Sequence, residues 1–428
     1  MPGPRLTNLS RRDFGRLSIL ALGGAVAGTG RAALGGESRA AQINGSVAPG
    51  FERVRHAFAA NFENHGEVGA AFSLYHRGVK VVDLWGGVAD PDTGRPWAED
   101  SIVMVFSSTK GATAVCAHLL AQRGELDLDA PVAEYWPEFA AAGKQDIPVR
   151  WLLSHRVGLP IFDAPITVEE FLAWEPPVKT LAAQRPVWEP GTTHGYHAGT
   201  YGWLVGEVVR RVSGKSLGTF FADEVAGPLG LDFWIGLPES QESRVVPVIA
   251  VDLADGAMDE QALTPRRRDL LAASRDPDSL LARPATTTPL DSNTRAFRAA
   301  ELPAGNGVAD ARSLARMYAS LIGDGVDGIR LLNDETVARA TTEQSNGRDE
   351  VLKIQTRFGL GFELNLPHGH LGQEGAFGHS GAGGSLAFAD PKAEIAFAYV
   401  MNQMQLVASD DPRTLSLITA VRESLKGQ

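Results

Sequence analysis

Ser107-Ser108-Thr109-Lys110 follows the apolar run Ile102-Val103-Met104-Val105-Phe106 and opens an Ala/Leu-rich stretch that continues to Arg123 and halts at Gly124. That composition predicts a helix over 107–123 with a glycine stop. On such a helix Ser107 and Lys110 share one face, a turn apart. A serine hydroxyl is a weak nucleophile until a neighbouring base takes its proton. A lysine can be that base once burial and the positive end of a helix lower its pKa. Four residues thus supply a nucleophile–base pair. Alone, the same pattern also fits an N-cap serine followed by a solvated lysine. Ser108 has Gly111 three residues on and therefore has no base.

Two further segments carry chemistry. Glu189-Pro190-Gly191-Thr192-Thr193-His194-Gly195-Tyr196-His197-Ala198 is a Pro-Gly turn that brings Tyr196 to the start of a helix predicted over 201–212. A phenol held near a lysine ammonium loses its proton more easily and can relay protons. Gly378-His379-Ser380-Gly381-Ala382-Gly383-Gly384 precedes a strand predicted over 385–389. Its glycines let a ligand approach the backbone. An edge strand there would offer an N–H to an oxyanion, with the Ser107 N–H as second donor. Taken singly, these segments read equally as a core tyrosine and a glycine-rich turn.

The chain around them is that of a globular protein. It has 428 residues, 44% hydrophobic and 21% charged, which excludes a disordered or fibrous protein. Cys116 is the lone cysteine, so an internal disulfide and an all-cysteine metal site are excluded. Phe51, Val54, Phe58 and Phe62 have helical spacing, predicting a helix over 50–64. Runs 69–75 and 79–85 flank His76-Arg77-Gly78 as a hairpin. Short helices fill 125–240. Residues 255–300 read as a polar, loop-rich excursion with one or two helices, and Arg266-Arg267-Arg268 as a solvated face. A helix over 311–322 follows, then strands 384–389 and 394–401 around Asp390-Pro391-Lys392, then a helix over 415–425. Both ends must therefore share one sheet, with helices inserted between them. This is an α+β arrangement. The α/β part is expected from about 48–125 and 305–428, and the mainly helical part from about 126–304.

Charge is unevenly spread. Residues 1–41 carry six arginines and two acids, a net +4, and the rest carry 34 bases and 49 acids, a net −15. An acidic body disfavours nucleic acid as a partner. The basic head places Ser10-Arg11-Arg12-Asp13-Phe14 before an apolar stretch over 17–27, too short to span a bilayer comfortably. Ser38 and Ala40 supply small residues for cleavage near 40–42, and Ala25-Val26-Ala27 a weaker site. The head resembles a twin-arginine export signal. A periplasmic or secreted protein is expected, with no stable membrane insertion once the signal is removed.

The three segments, in this order, resemble those of the serine β-lactamase and penicillin-binding protein superfamily. The similarity is greatest to its class C-related branch, which includes the family VIII carboxylesterases. Leu152-Leu153-Ser154-His155, Gly158-Leu159-Pro160, Tyr201-Gly202-Trp203-Leu204-Val205-Gly206, Gly227-Pro228-Leu229-Gly230-Leu231 and Gly305-Asn306-Gly307 agree with that branch. The resemblance covers about 50–425 and implies a β-lactamase/transpeptidase-like fold: an antiparallel sheet flanked by N- and C-terminal helices, plus an inserted helical subdomain. It implies Ser107 as the acylated nucleophile, Lys110 as its base, and Tyr196 as a residue that assists proton transfer to the leaving group and helps activate the deacylating water. It places the oxyanion hole at the N–H groups of Ser107 and Ala382, next to Gly381. His379 falls where the lactamases carry the lysine of K-T-G. No cofactor is called for.

This chain departs from the lactamase pattern twice. Ala198 stands where the lactamases have asparagine, and His379 replaces a permanent cation with a group of pKa about 6.5. The anchors for a β-lactam's carboxylate and acylamino group are thus missing. An ester needs neither, so the expected activity is a carboxylesterase for short- to medium-chain acyl esters, small molecules processed through an acyl-enzyme. A β-lactamase, a D-amino-acid peptidase or an acyltransferase on the same site is the alternative. A non-catalytic binder of cell-wall peptides or acyl ligands is the alternative outside enzymes. Gly378-His379-Ser380-Gly381 nearly forms a nucleophile elbow, but Ala382 breaks the motif and a strand, not a helix, follows. Cys116 reads as a core thiol. His155, His194, His197, His368 and His370 lack the spacing of a metal set. His194 and His197, with Trp188 and Trp203, are candidates to line the site.

Overall fold

The computed structural model describes residues 41–251, 259–367, 369–407 and 409–427. The arginine pair, the apolar stretch and all of the head before Ala41 lie outside the described residues, as does His368.

The chain starts with strand β1 (Ile43–Val47) and helix α1 (Glu52–Asn64), then the hairpin β2 (Gly69–His76) and β3 (Val79–Asp90). After a long excursion that includes α2 (Thr109–Gln122) and α3 (Thr200–Ser213), the chain returns through α4 (Ala311–Ala319). It then adds β4 (Ser345–Arg348), β5 (Gln355–Phe358), β6 (Glu363–Leu364), β7 (Phe377–Ser380), β8 (Leu386–Asp390) and β9 (Ile395–Met401), and ends in α5 (Pro412–Leu425). The large sheet runs β1-β3-β2-β9-β8-β7-β6-β5-β4, with Arg95–Pro96 paired beside β3, and its pairings are antiparallel. The seam between the two chain ends is β2 against β9, Met401 opposite Ala70 and Ile395 opposite His76.

Strand alternation explains the layering. Phe72 and Leu74 point to one face, where they join Phe51, Val54 and Phe58 of α1 and Leu417 and Val421 of α5. Ala71 and Tyr75 point to the other face, against Leu314, Met317 and Tyr318 of α4. All these side chains are buried, each large one contributing about 1.5–3 kcal/mol relative to exposure.

Behind α4 lies α2, almost wholly buried. Gly111 makes this possible, because a Cβ there would meet the Tyr318 hydroxyl at 2.2 Å. Helix α3 ends as its sequence demands, with Gly214 left-handed at φ 72°.

Two sequence expectations change. The segment Gly378-His379-Ser380 is itself part of β7, which lies between β6 and β8. The strand that follows it is equally internal, so no edge strand borders the motif. Second, the basic run on helix 265–275 is not simply a solvated face. Arg266 and Arg267 are half-buried and only Arg268 is exposed. Arg267 Nε donates to Asp410 Oδ1 at 2.7 Å, which ties that helix to the approach of α5.

Candidate active site

Ser107 sits where a short strand turns into α2. Strand Ile102–Met104 belongs to a small second sheet, between Val308–Ala309 and Val245–Val246. Phe106 then adopts φ 46°, a left-handed conformation that costs a non-glycine residue about 1–3 kcal/mol. The surroundings hold it there. The Thr109 hydroxyl donates to Phe106 O at 2.5 Å and accepts the Gly307 N–H at 2.9 Å. The result is a serine at the start of a buried helix, with Lys110 one turn on.

Lys110 is fully buried, and its Nζ lies 3.1 Å from Ser107 Oγ, 2.8 Å from Ala198 O and 2.8 Å from Ala304 O. Burial holds its pKa well below the usual amine range, and Glu363 opposes this only in part. A neutral amine has two hydrogens and one lone pair. With both hydrogens given to the two carbonyls, the lone pair faces Ser107 Oγ. The geometry therefore suits removal of the serine proton.

Tyr196 lies over Lys110, with Nζ 4.7 Å from its ring centre. The sequence reading had the lysine easing loss of the phenolic proton. The opposite holds: burial and then Glu363 raise the Tyr196 pKa well above its ordinary value, and the Ser107 hydroxyl beside it pulls only weakly the other way. Tyr196 is a phenol here, suited to giving a proton. Its backbone is anchored by Asp349, whose Oδ1 accepts the N–H groups of Tyr196 (3.0 Å), Val351 (2.8 Å) and Leu352 (2.8 Å). Asp349 Oδ2 accepts the Thr356 hydroxyl at 3.2 Å, and Thr356 Oγ1 lies 2.9 Å from His194 Nε2.

His194 and His197 thus support Tyr196 from behind, and neither lines the cavity in front of Ser107. His197 Nε2 accepts the Leu159 N–H at 3.0 Å, and His155 Nδ1 accepts the His197 N–H at 3.2 Å. Burial lowers the pKa of both histidines, so these accepting nitrogens are unprotonated. Trp203 borders a small neighbouring cavity beside Tyr196 and Ala198, while Trp188 packs edge-on against His197.

Across from Ser107, the turn 381–384 joins β7 to β8. Gly381 N–H donates to Ser385 O at 2.7 Å and Gly384 N–H to Gly381 O at 3.1 Å. The Ala382 N–H has no protein acceptor among the described residues and is open to the cavity. Glycine is required at 381, since a Cβ would meet Val105 O at 2.4 Å and Ser385 Oγ at 2.1 Å. Arg413 supports the turn from beneath, donating to Gly383 O at 2.5 Å while its other contacts reach Asp411 (2.8 Å) and Glu67 (3.3 Å). His379 is buried, with its ring centre 6.1 Å from that of Tyr196. Its Nδ1 lies 2.7 Å from Ser380 O, which makes Nδ1 the protonated nitrogen. Burial lowers its pKa. Ser108, the serine without a base, donates instead to His379 O at 3.2 Å.

The cavity in front of Ser107 has a volume of about 190 Å³ and is mostly apolar. Leu270, Leu281, Leu352, Ile354, Phe358, Leu364, Leu386, Met404 and Leu406 line it, together with Ser107, Tyr196, Ala382 and Glu363. Leu270 and Leu281 come from the polar excursion 255–300, where isolated leucines among charges gave no periodic signal. Glu363 was also missed, because a lone acid after Gly359-Leu360-Gly361-Phe362 has no motif partner.

Fold and site together define a serine hydrolase of β-lactamase fold. The chain belongs to the Beta-lactamase family, whose model it matches over residues 54–420. It is 36% identical over 393 residues to the esterase/beta-lactamase LipL of Mycobacterium tuberculosis, covering 90% of this chain and 89% of that protein. Among solved structures, a family VIII carboxylesterase is 41% identical with a TM-score of 0.79, covering 90% of this chain and all of the other. A penicillin-binding protein homologue from Caulobacter crescentus is 37% identical with the same TM-score and coverage.

Proposed function

We propose that the protein is a carboxylesterase for esters of short- to medium-chain aliphatic acids, acting through an acyl-enzyme on Ser107. The observation that carries this is the 3.1 Å contact of a fully buried Lys110 with Ser107 at the floor of a leucine-lined cavity. Lys110 Nζ takes the Ser107 proton as Oγ bonds to the ester carbonyl carbon. The N–H groups of Ser107 and Ala382 receive the oxyanion. The carbonyl re-forms, the C–O bond to the alcohol breaks, and the leaving alkoxide takes the Tyr196 proton, which Lys110 restores. Water then repeats the sequence in reverse sense, releasing the acid. The relatives named esterase and carboxylesterase support this reading.

The test is labelling with a fluorophosphonate, then turnover of p-nitrophenyl butyrate and nitrocefin, with Ser107→Ala as control. Ser107-dependent labelling and ester turnover well above nitrocefin turnover are expected. Labelling that survives Ser107→Ala moves the nucleophile elsewhere, and equal turnover of the two substrates removes the ester preference. Residues 1–41 are proposed to be a twin-arginine-type export signal that delivers the protein to the periplasm or medium. Arg11→Lys with Arg12→Lys should retain it in the cytoplasm.

A further inference from the structure

The third segment of the site carries no lysine, yet it does carry a charge. Glu363, on β6, reaches across to β7. Its Oε1 accepts the Ser380 hydroxyl at 2.8 Å and its Oε2 the Ser380 N–H at 3.1 Å. Oε1 lies 3.5 Å from His379 Nδ1 and Oε2 3.8 Å from His370 Nε2. The carboxylate lines the same cavity as Ser107, Tyr196 and Ala382. Burial opposes its ionisation, but His379, His370 and Ser380 outweigh that and bring its pKa down to about 2. Two donors from Ser380, one on each oxygen, mark it as a carboxylate.

Two other charges on the cavity wall are already paired. Arg357 is matched by Glu343 at 2.6 Å and Asn365 O at 2.9 Å, and Asp411 by Arg413 at 2.8 Å. Arg266 stands on helix Pro265–Arg275, the wall that carries Leu270. Glu363 is the charge that both Lys110 and Tyr196 feel, so it is the one placed to act on a group near the reacting carbonyl.

We propose that Glu363, seated on Ser380, is a specificity-determining residue: its carboxylate repels substrates bearing a carboxylate near the scissile bond and favours neutral or cationic esters. This rests on the ester-hydrolase reading above. It also gives the missing lysine a positive counterpart. The site has not merely lost an anion anchor, but has acquired a group that rejects the anion.

The test uses three acetate esters of one shape: 3-acetoxybenzoate, 3-acetoxybenzamide and 3-acetoxy-N,N,N-trimethylanilinium. In the wild type, kcat/KM for the amide should exceed that for the carboxylate by about tenfold or more, the scale of like charges several Å apart in a partly buried site, with the cation at least equal to the amide. Glu363→Gln, which keeps the shape and an acceptor for Ser380, should bring all three within about threefold. Ser380→Ala, which removes the hydroxyl but leaves the carboxylate and the backbone N–H that holds it, should retain the discrimination. Arg266→Gln should leave the amide-to-carboxylate ratio within about threefold of the wild type. A wild-type ratio near one overturns the proposal, as does a ratio unchanged in Glu363→Gln. So does its collapse in Ser380→Ala, which would assign it to cavity shape, or a dependence on Arg266 alone. Absence of Ser107-dependent hydrolysis of the neutral amide would instead defeat the ester-hydrolase reading itself.

Discussion

Asp349 gathers three backbone donors onto a single oxygen, and two substitutions separate what that oxygen does from what its charge does. Alanine removes the acceptor and leaves the N–H groups of Tyr196, Val351 and Leu352 without it. Each buried, unsatisfied donor costs about 1–2 kcal/mol, so Asp349→Ala should lose about 3–6 kcal/mol. Asparagine keeps one oxygen for the three donors, and its amide can donate to Thr356 Oγ1 where Oδ2 formerly accepted. Burial already raises the Asp349 pKa, so the charge is costly where it stands. Asp349→Asn should therefore lie within about 1 kcal/mol of the wild type. The assay is urea unfolding with ester turnover on the same preparations. Freed from its anchor, Tyr196 should misalign in the alanine variant, lowering kcat/KM by more than about tenfold, against less than about threefold for asparagine. Equal destabilisation by both substitutions would refute the argument, since it would make the charge the stabilising element. An alanine variant as active as asparagine would remove Asp349 from the positioning of Tyr196.

Four further outcomes are expected. Lys110→Arg replaces a titratable amine by a cation that cannot deprotonate, so labelling by fluorophosphonate should disappear; labelling at the wild-type rate would exclude Lys110 as base. In the wild type, activity should rise with pH through the titration of Lys110, which burial lowers, so its midpoint should fall below the amine range and not within it. Gly381→Ala drives a Cβ into Val105 O and Ser385 Oγ and should shift the Ala382 N–H, lowering kcat by about 10²–10³, the loss typical of one oxyanion donor. Burial, partly offset by Arg413, raises Glu67 from 4.5 to about 7. A raised pKa means that the native state holds the proton longer, so this group's contribution is present below pH 4.5 and is lost as pH climbs to 7. Calorimetric scans of Glu67→Gln should show that pH dependence flattened; a pH dependence equal to that of the wild type would exclude Glu67 as its source.

Elements with strong local signals were legible in the sequence. The apolar spacing of Phe51, Val54 and Phe58, the turn at Arg77-Gly78 and the glycine stop at Gly214 each act over a few residues, and α1, the β2–β3 hairpin and α3 lie where those signals put them. Strands β4 to β6 were not legible, because Ser345–Arg348 and Gln355–Phe358 hold few apolar residues and gain their place by pairing with each other and, at Phe358, with β6. Ser107 and Lys110 were nameable because a fixed short spacing carries them, and Tyr196 and Ala382 because the segments that hold them resemble those of a known family. Glu363, Asp349 and Arg413 were not, since each acts through a partner brought near only by the fold. The protonation state of Tyr196 was not legible for the same reason. Sequence order brings Tyr196 and Lys110 into one site, whereas burial keeps the proton on the phenol.

The seam between β2 and β9 bears on the order of events during synthesis. Its neighbours are joined across great spans: Gly69 N–H to Asn402 Oδ1 over 333 residues, and Asn61 Nδ2 to Arg413 O over 352. Contacts of that range close late, because chain entropy must be overcome before they return any stabilisation. A growing chain thus exposes Ser107 and Lys110 long before Ala382 and Arg413 have been made. In the proposed mechanism the oxyanion site is incomplete until the last strand and helix are in place, so the nucleophile–base pair is made well before its oxyanion donor.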